Sequence, residues 1–172
     1  MACRGVFFAI DEETVQSLKS MDRAGIVEYV QEEIEEVYFA EHDDQVAETD
    51  KAWDAIQRAF SESECDVCVI KGVYPSNMIV LGGEILYGDK DGEEDYIISL
   101  KNPEQVADIY KFLSELSKSQ FEKLYFEIDK KKYGFDLSVQ DFGYTWDWLS
   151  DTIGFWKNAA DKKLSVIFTV DQ

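Results

Sequence analysis

Cysteine and histidine offer the most direct chemistry in this sequence, and both are scarce. Cys65 and Cys68 have the spacing of a redox dithiol or of half a zinc site. A redox pair wants its first thiol at a helix N-terminus, where the dipole lowers the thiol pKa. Here the pair follows Glu62 and Glu64 and leads into the β-branched stretch 67–73, surroundings that raise a thiol pKa. A zinc site needs four ligands. Cys3 and His42 could complete the set, but nothing in the spacing brings either to the pair, and buried or idle cysteines are the simpler reading. His42 is the sole histidine, so any Ser-His-Asp or Cys-His system would have to run through it. It lies in Glu41-His42-Asp43-Asp44, which suits a solvated surface better than a packed catalytic centre.

Carboxylates are plentiful: 36 Asp and Glu in 172 residues, too many for the sequence to single out an acid–base pair. Two groups stand out by position. Asp50 and Asp54 are four apart around Trp53, in Asp50-Lys51-Ala52-Trp53-Asp54. They read either as a capped helix with a buried tryptophan anchor or as a carboxylate pair at the rim of a polar cleft. Asp89 and Asp91 lie in the acidic loop 88–95, which has the look of a cation loop. Aligning Gly92 with the invariant glycine of the calcium hand puts Tyr87 at the first ligand position and Ile98 at the last, so that template fails. An irregular cation site and a solvated acidic turn both stay open. Gly82-Gly83 is no phosphate loop, because the lysine and hydroxyl that should follow are absent.

Seventeen Lys and Arg against those acids leave a net charge of −19. Such a chain repels phosphate backbones and anionic lipid, whose binding rests on cationic side chains displacing counterions. Nucleic acid and membrane are therefore excluded as ordinary partners, while a basic protein or a cation is favoured; plain solubility also accounts for the charge. The longest apolar runs are about six residues, against roughly 20 to span a bilayer. The length fits one domain over 1–172, able to hide roughly 70% of its unfolded surface. An odd cysteine count and an N-terminus without a signal-peptide pattern lead us to expect a cytosolic protein.

The elements that must position these residues follow from periodicity. A strand is expected over 6–10, then a helix capped by Asp11 with Val15, Leu18 and Met21 inside. Ile26, Val27, Val30, Ile34 and Val37 make the stripe of a second helix. Asp43 and Asp44 fall in a polar connection, and Thr49 or Asp50 is expected to cap a third helix carrying Trp53, Ile56 and Phe60. Strands are expected over 67–73 and 96–100. Asn102-Pro103-Glu104-Gln105 is the strongest local signal, a capping box with proline at the first helical position, followed by Val106, Ile109, Tyr110, Leu113 and Leu116. Ser119 is read as restarting a short helix with Phe121, Leu124, Tyr125 and Ile128; Ser138 is read as capping one long helix to about residue 160, before a closing strand over 164–170. The fold class is α+β: one compact domain whose central mixed or antiparallel sheet contains both terminal strands as neighbours, packed by several helices.

The expected last helix is apolar on two sides. Phe142, Trp146, Leu149, Ile153, Trp156 and Ala160 form one stripe at 100° per residue; Tyr144, Trp148 and Phe155 form another almost opposite. Three readings follow: a central helix packed on both sides, an aromatic contact patch for a partner, or the wall of a ligand groove.

Several stretches, in order, carry a family resemblance: Met1-Ala2-Cys3-Arg4-Gly5-Val6, Thr49-Asp50-Lys51-Ala52-Trp53-Asp54-Ala55-Ile56, Leu81-Gly82-Gly83 with Leu86-Tyr87-Gly88-Asp89, Asn102-Pro103-Glu104-Gln105-Val106, Tyr144-Thr145-Trp146 and Phe168-Thr169-Val170-Asp171-Gln172. Over nearly its whole length the chain resembles the YfbM-like family of bacterial proteins of unknown function. The resemblance implies a single α+β domain in a bacterial cytosol and carries over no activity and no catalytic residue. Members commonly have a histidine on the Asp-Lys-x-Trp helix where this chain has Gln57, which argues against shared histidine chemistry.

Our reading is a non-enzymatic acidic interaction protein that binds a basic protein partner, in the manner of an inhibitor or immunity protein facing a cationic toxin such as a nuclease. Tyr144, Trp148 and Phe155 are its candidate contacts, with no catalytic residue, metal or cofactor assigned. The alternative is an enzyme or small-ligand binder whose carboxylate-lined pocket uses Asp50, Asp54, Asp89 and Asp91 for a cationic or polyhydroxylated molecule. A third reading makes the second aromatic stripe a contact between copies of the chain.

Overall fold

Alternation within β1 (Gly5–Ile10) organises the molecule. All six residues are buried, with Phe7 and Ala9 facing one core and Val6, Phe8 and Ile10 another. A strand buried on both faces needs a layer on each side. The structure, a computed structural model, describes residues 4–88 and 96–171. Cys3, Asp89 and Asp91, and with the last two most of the acidic loop, lie outside the described residues.

The remaining strands are β2 (Val46–Asp50), β3 (Glu84–Tyr87), β4 (Tyr96–Lys101) and β5 (Ser165–Asp171). They form one sheet in the order β2-β1-β5-β4-β3, antiparallel throughout. The two terminal strands are neighbours, as the sequence predicts, with Val6 opposite Thr169 and Ile10 opposite Ser165. Gly5 is required where β1 begins: a Cβ there would lie 2.7 Å from Phe168 ring carbons and 2.7 Å from Thr49 Oγ1.

One face of the sheet is covered by α1 (Glu12–Ser20), α2 (Arg23–Tyr29), wider π-helical turns over Val30–Glu35, and α3 (Glu36–Glu41). Leu18, Ile26, Val30 and Ile34 bury their stripe against Phe8, Ile98 and Ile167. The other face carries α4 (Ala52–Phe60), α5 (Pro103–Glu115), α6 (Lys118–Phe126), α7 (Lys130–Tyr133), α8 (Val139–Asp151) and α9 (Ile153–Asp161). Trp156 is fully buried here, its ring 5.1 Å from Phe7.

The expected caps at Asp11, Asn102 and Ser138 are in place, accepting from the amides of Thr14, Gln105 and Asp141. Four expectations need correction. Residues 46–50 are a strand, and Thr49 does not cap α4; its hydroxyl donates to Gly5 O at 2.8 Å, and α4 begins without a side-chain cap. Residues 67–73 are not a strand. Ser117, not Ser119, caps α6, through a box with Gln120. The last helix is two helices, broken at Thr152, whose hydroxyl donates to Leu149 O at 2.7 Å. Across the break Phe155 no longer continues the exposed stripe of Tyr144, although it stays beside Trp148. Phe155 is only 7% exposed and packs between Phe7 and Trp156.

Candidate functional site

Tyr144 and Trp148 stand one turn apart on α8, their rings edge to face with centroids 6.3 Å apart. Tyr144 ties this helix to the end of β2. Its hydroxyl donates to Asp50 Oδ2 at 2.8 Å and accepts from the Lys51 amide at 3.3 Å. Burial and the Asp50 carboxylate both raise the Tyr144 pKa, so the hydroxyl keeps its proton. Asp50 has φ +45°, the left-handed conformation that turns the chain from strand into helix, and Arg4 lies 3.5 Å from its Oδ1. A hollow opens on either side of this aromatic pair.

Beyond Trp148 a groove of about 560 Å³ runs along β2, one of the two outer strands of the sheet. Trp148 and Phe155 wall it from the α8–α9 layer, and Phe39 of α3 walls it from the other layer, with Ala47 between them. Phe39 is 48% exposed, although its ring sits edge to face on Phe8. Asp43, Asp44, Glu48 and Asp151 rim the groove. Asp44 is engaged by Lys162 at 2.8 Å and by Asn158, which lower its pKa. Asp43, Glu48 and Asp151 form no ion pair among the described residues.

On the near side of Tyr144 a cleft of about 430 Å³ lies between α4, α7 and α8. Trp53, Tyr133, Phe135 and Tyr144 give it ring walls, and Asp54, Asp141 and Lys51 give it charge. Asp54 is held by Arg58, with Nε 3.0 Å from each carboxylate oxygen. Asp141 instead accepts two hydroxyls on one oxygen: Tyr133 at 2.8 Å and Tyr125 through a short bond, both to Oδ2. Burial, with Asp141 next, raises the pKa of both phenols, which stay protonated donors.

The predicted residues therefore divide. Trp148 and Phe155 belong to the groove, Asp54 and Tyr144 to the cleft, and Asp50 lies behind the Tyr144 hydroxyl. Asp50 and Asp54 are not a helical i, i+4 pair, because Asp50 closes a strand and Asp54 is turned to Arg58. Tyr133, Phe135 and Asp141 were not anticipated. The one available signal was Ser138, whose cap fixes Asp141 in the first turn of α8. Cys65 is half-buried, and burial together with Asp54 pushes its thiol up, away from thiolate chemistry. His42 lies over Tyr38, ring centroids 4.9 Å apart. Among the described residues no three of His, Cys, Asp and Glu converge as a metal site requires, and no helix is long and apolar enough to cross a membrane.

Comparison with known proteins returns the same picture of family without activity. No curated protein matches the chain. A crystal structure of YfbM from Escherichia coli, a protein of unknown function, is similar with a TM-score of 0.65 at 17% identity, covering 97% of this chain and 99% of that one; at this identity the likeness speaks for the fold. The family described as a domain of unknown function (DUF1877) matches residues 1–169, and the chain belongs to that family.

Proposed function

We propose that this protein binds a basic partner by taking up an extended segment of it along β2. The observation that supports this reading is the position of the groove: it lies on the sheet's outer edge, with aromatic walls from both helical layers and carboxylates at the rim. An outer strand presents a row of unpaired peptide groups that a guest strand can complete. The side chains of such a guest alternate, one set toward Phe39 and the other toward Trp148 and Phe155. Lysine or arginine in either set meets Asp43, Glu48 or Asp151. The net charge of −19 steers a basic partner inward, and burial of Trp148 holds it. A second copy is a poorer guest, since symmetric pairing of β2 would set these carboxylates against their own images. In a bacterial cytosol such capture suits an inhibitor or immunity protein that neutralises a cationic toxin.

The test is titration of the labelled protein with an acetylated, amidated peptide of alternating lysine and valine, followed by amide shifts. Saturable shifts over 46–50 and at the Trp148 indole, weakened by salt and abolished when the peptide's central residue is proline, are the expected result. Shifts scattered over the surface, or equal binding by the proline peptide, would overturn the β-pairing mode. Dimerisation of the free protein through β2 would replace the basic guest with a second copy.

A further inference from the structure

The cleft on the near side of Tyr144 is separate from the groove, and its lining selects a different ligand. From it we infer a site for an alkylated ammonium group, such as a small quaternary amine or a methylated amino group. Trp53, Tyr133, Phe135 and Tyr144 surround the space with ring surface. Rings attract cations through their quadrupole and favour weakly hydrated ones, because an alkylated ammonium loses little hydration on meeting an apolar face. A small, strongly hydrated metal ion wants oxygen ligands instead. The volume of about 430 Å³ lies within the range of small-molecule sites.

The charge of the cleft supports the same ligand. Lys51 is the cation that lines the cleft, exposed at its rim; Arg58 is committed to Asp54, and Arg4 lies on Asp50. Asp141 forms no ion pair among the described residues. The Tyr125 and Tyr133 hydroxyls fix its orientation through Oδ2, while Oδ1 accepts no hydrogen bond among the described residues. A half-buried carboxylate held still by two phenols, with one oxygen left over and ring walls around it, is arranged for a cation that brings its own apolar surface. Tyr133 serves twice, as wall and as the donor that positions Asp141. Phe135 is 69% exposed and offers ring surface that a ligand can cover.

The experiment uses the full chain with tetramethylammonium chloride as probe. Sodium chloride at equal ionic strength and tert-butyl alcohol, its neutral counterpart in shape, are the controls. Saturable shifts at the Trp53 indole and at residues 133–137 are expected with tetramethylammonium alone. Asp141→Asn should weaken binding about tenfold, the scale of one charge-assisted contact. Phe135→Ala, an exposed change that leaves the core intact, should weaken it severalfold. Phe39→Ala, in the groove and away from the cleft, should leave it unchanged, so the cleft can fail while the groove stands, and the reverse. Equal binding of tert-butyl alcohol, shifts confined to 43–48, insensitivity to both cleft variants, or an absence of saturable shifts would each overturn the inference.

Discussion

The Tyr144 hydroxyl and the Asp50 carboxylate meet at 2.8 Å across 94 positions of sequence, and through this bond the edge strand β2 is pinned to α8. Tyr144 lines the cleft, and its ring neighbour Trp148 lines the groove. Asp50 also holds the left-handed turn at φ +45°. Asp50→Ala should therefore destabilise the protein by about 2 kcal/mol, combining a strained backbone with a lost hydrogen bond. Asp50→Gly should be the milder change by about 1 kcal/mol, because glycine accepts this φ. Urea denaturation of both variants measures the difference, and equal losses would show that the backbone conformation contributes nothing.

Gly5→Ala tests the close approach beneath β1. The new methyl meets the Phe168 ring and the Thr49 hydroxyl, both buried, with little room to give. A loss of about 1–3 kcal/mol is expected from overpacking of this kind. An unchanged denaturation midpoint would mean that the strand edge adjusts freely.

Lys101 makes stability depend on pH in the alkaline direction. It is completely buried, donates to Val80 O and Ser99 Oγ, and lies 5.6 Å from the centre of the Phe168 ring. Burial drives its pKa well below 10.5, so the folded protein holds a neutral amine where the unfolded chain holds an ammonium. Unfolding then takes up a proton, and stability rises with pH until the unfolded lysine itself loses its proton at 10.5. Relative to Lys101→Met, the wild type should gain stability as pH rises toward 10.5 and gain no more beyond it. A pH-independent difference between the two would refute the neutral amine.

Glu64 acts at the acid end. It accepts from Lys132 and from Lys71, and these partners lower its pKa from 4.5 to about 2. A depressed carboxylate pKa stabilises the fold above 4.5, and that contribution is lost as pH falls from 4.5 to about 2. The stability gap between wild type and Glu64→Gln should close across this window. An NMR titration midpoint of Glu64 near 4.5 would contradict the pairing.

Salt should raise the melting temperature. A net charge of −19 repels itself, and added ions screen that repulsion more than they weaken the exposed ion pairs, each worth little. A melting temperature that falls with added sodium chloride would place more weight on the pairs than on the net charge.

Much of this architecture was legible in the sequence, because the signals were local. Asn102 and Gln105 announce α5, Ser138 announces α8, and the compact apolar runs at both ends announce the paired strands. β2 was not legible: Val46-Ala47-Glu48-Thr49-Asp50 ends in two good capping residues, and cap chemistry outweighed a weak alternation. The break at Thr152 has no proline or glycine at the break itself, so the helical wheel ran through it and turned Phe155 outward. The cleft was hidden for a different reason. Asp141 gains its meaning from Tyr125 and Tyr133, which arrive from other helices, and such convergence has no spacing to read.

The pairing of Val6 with Thr169 joins segments at opposite ends of the chain. During synthesis β1 must stay unsatisfied on that side until residues 165–171 have been made. Closing so long a loop is slow compared with forming helices such as α5. Docking of residues 165–171 between β1 and β4 is thus the step that closes the sheet.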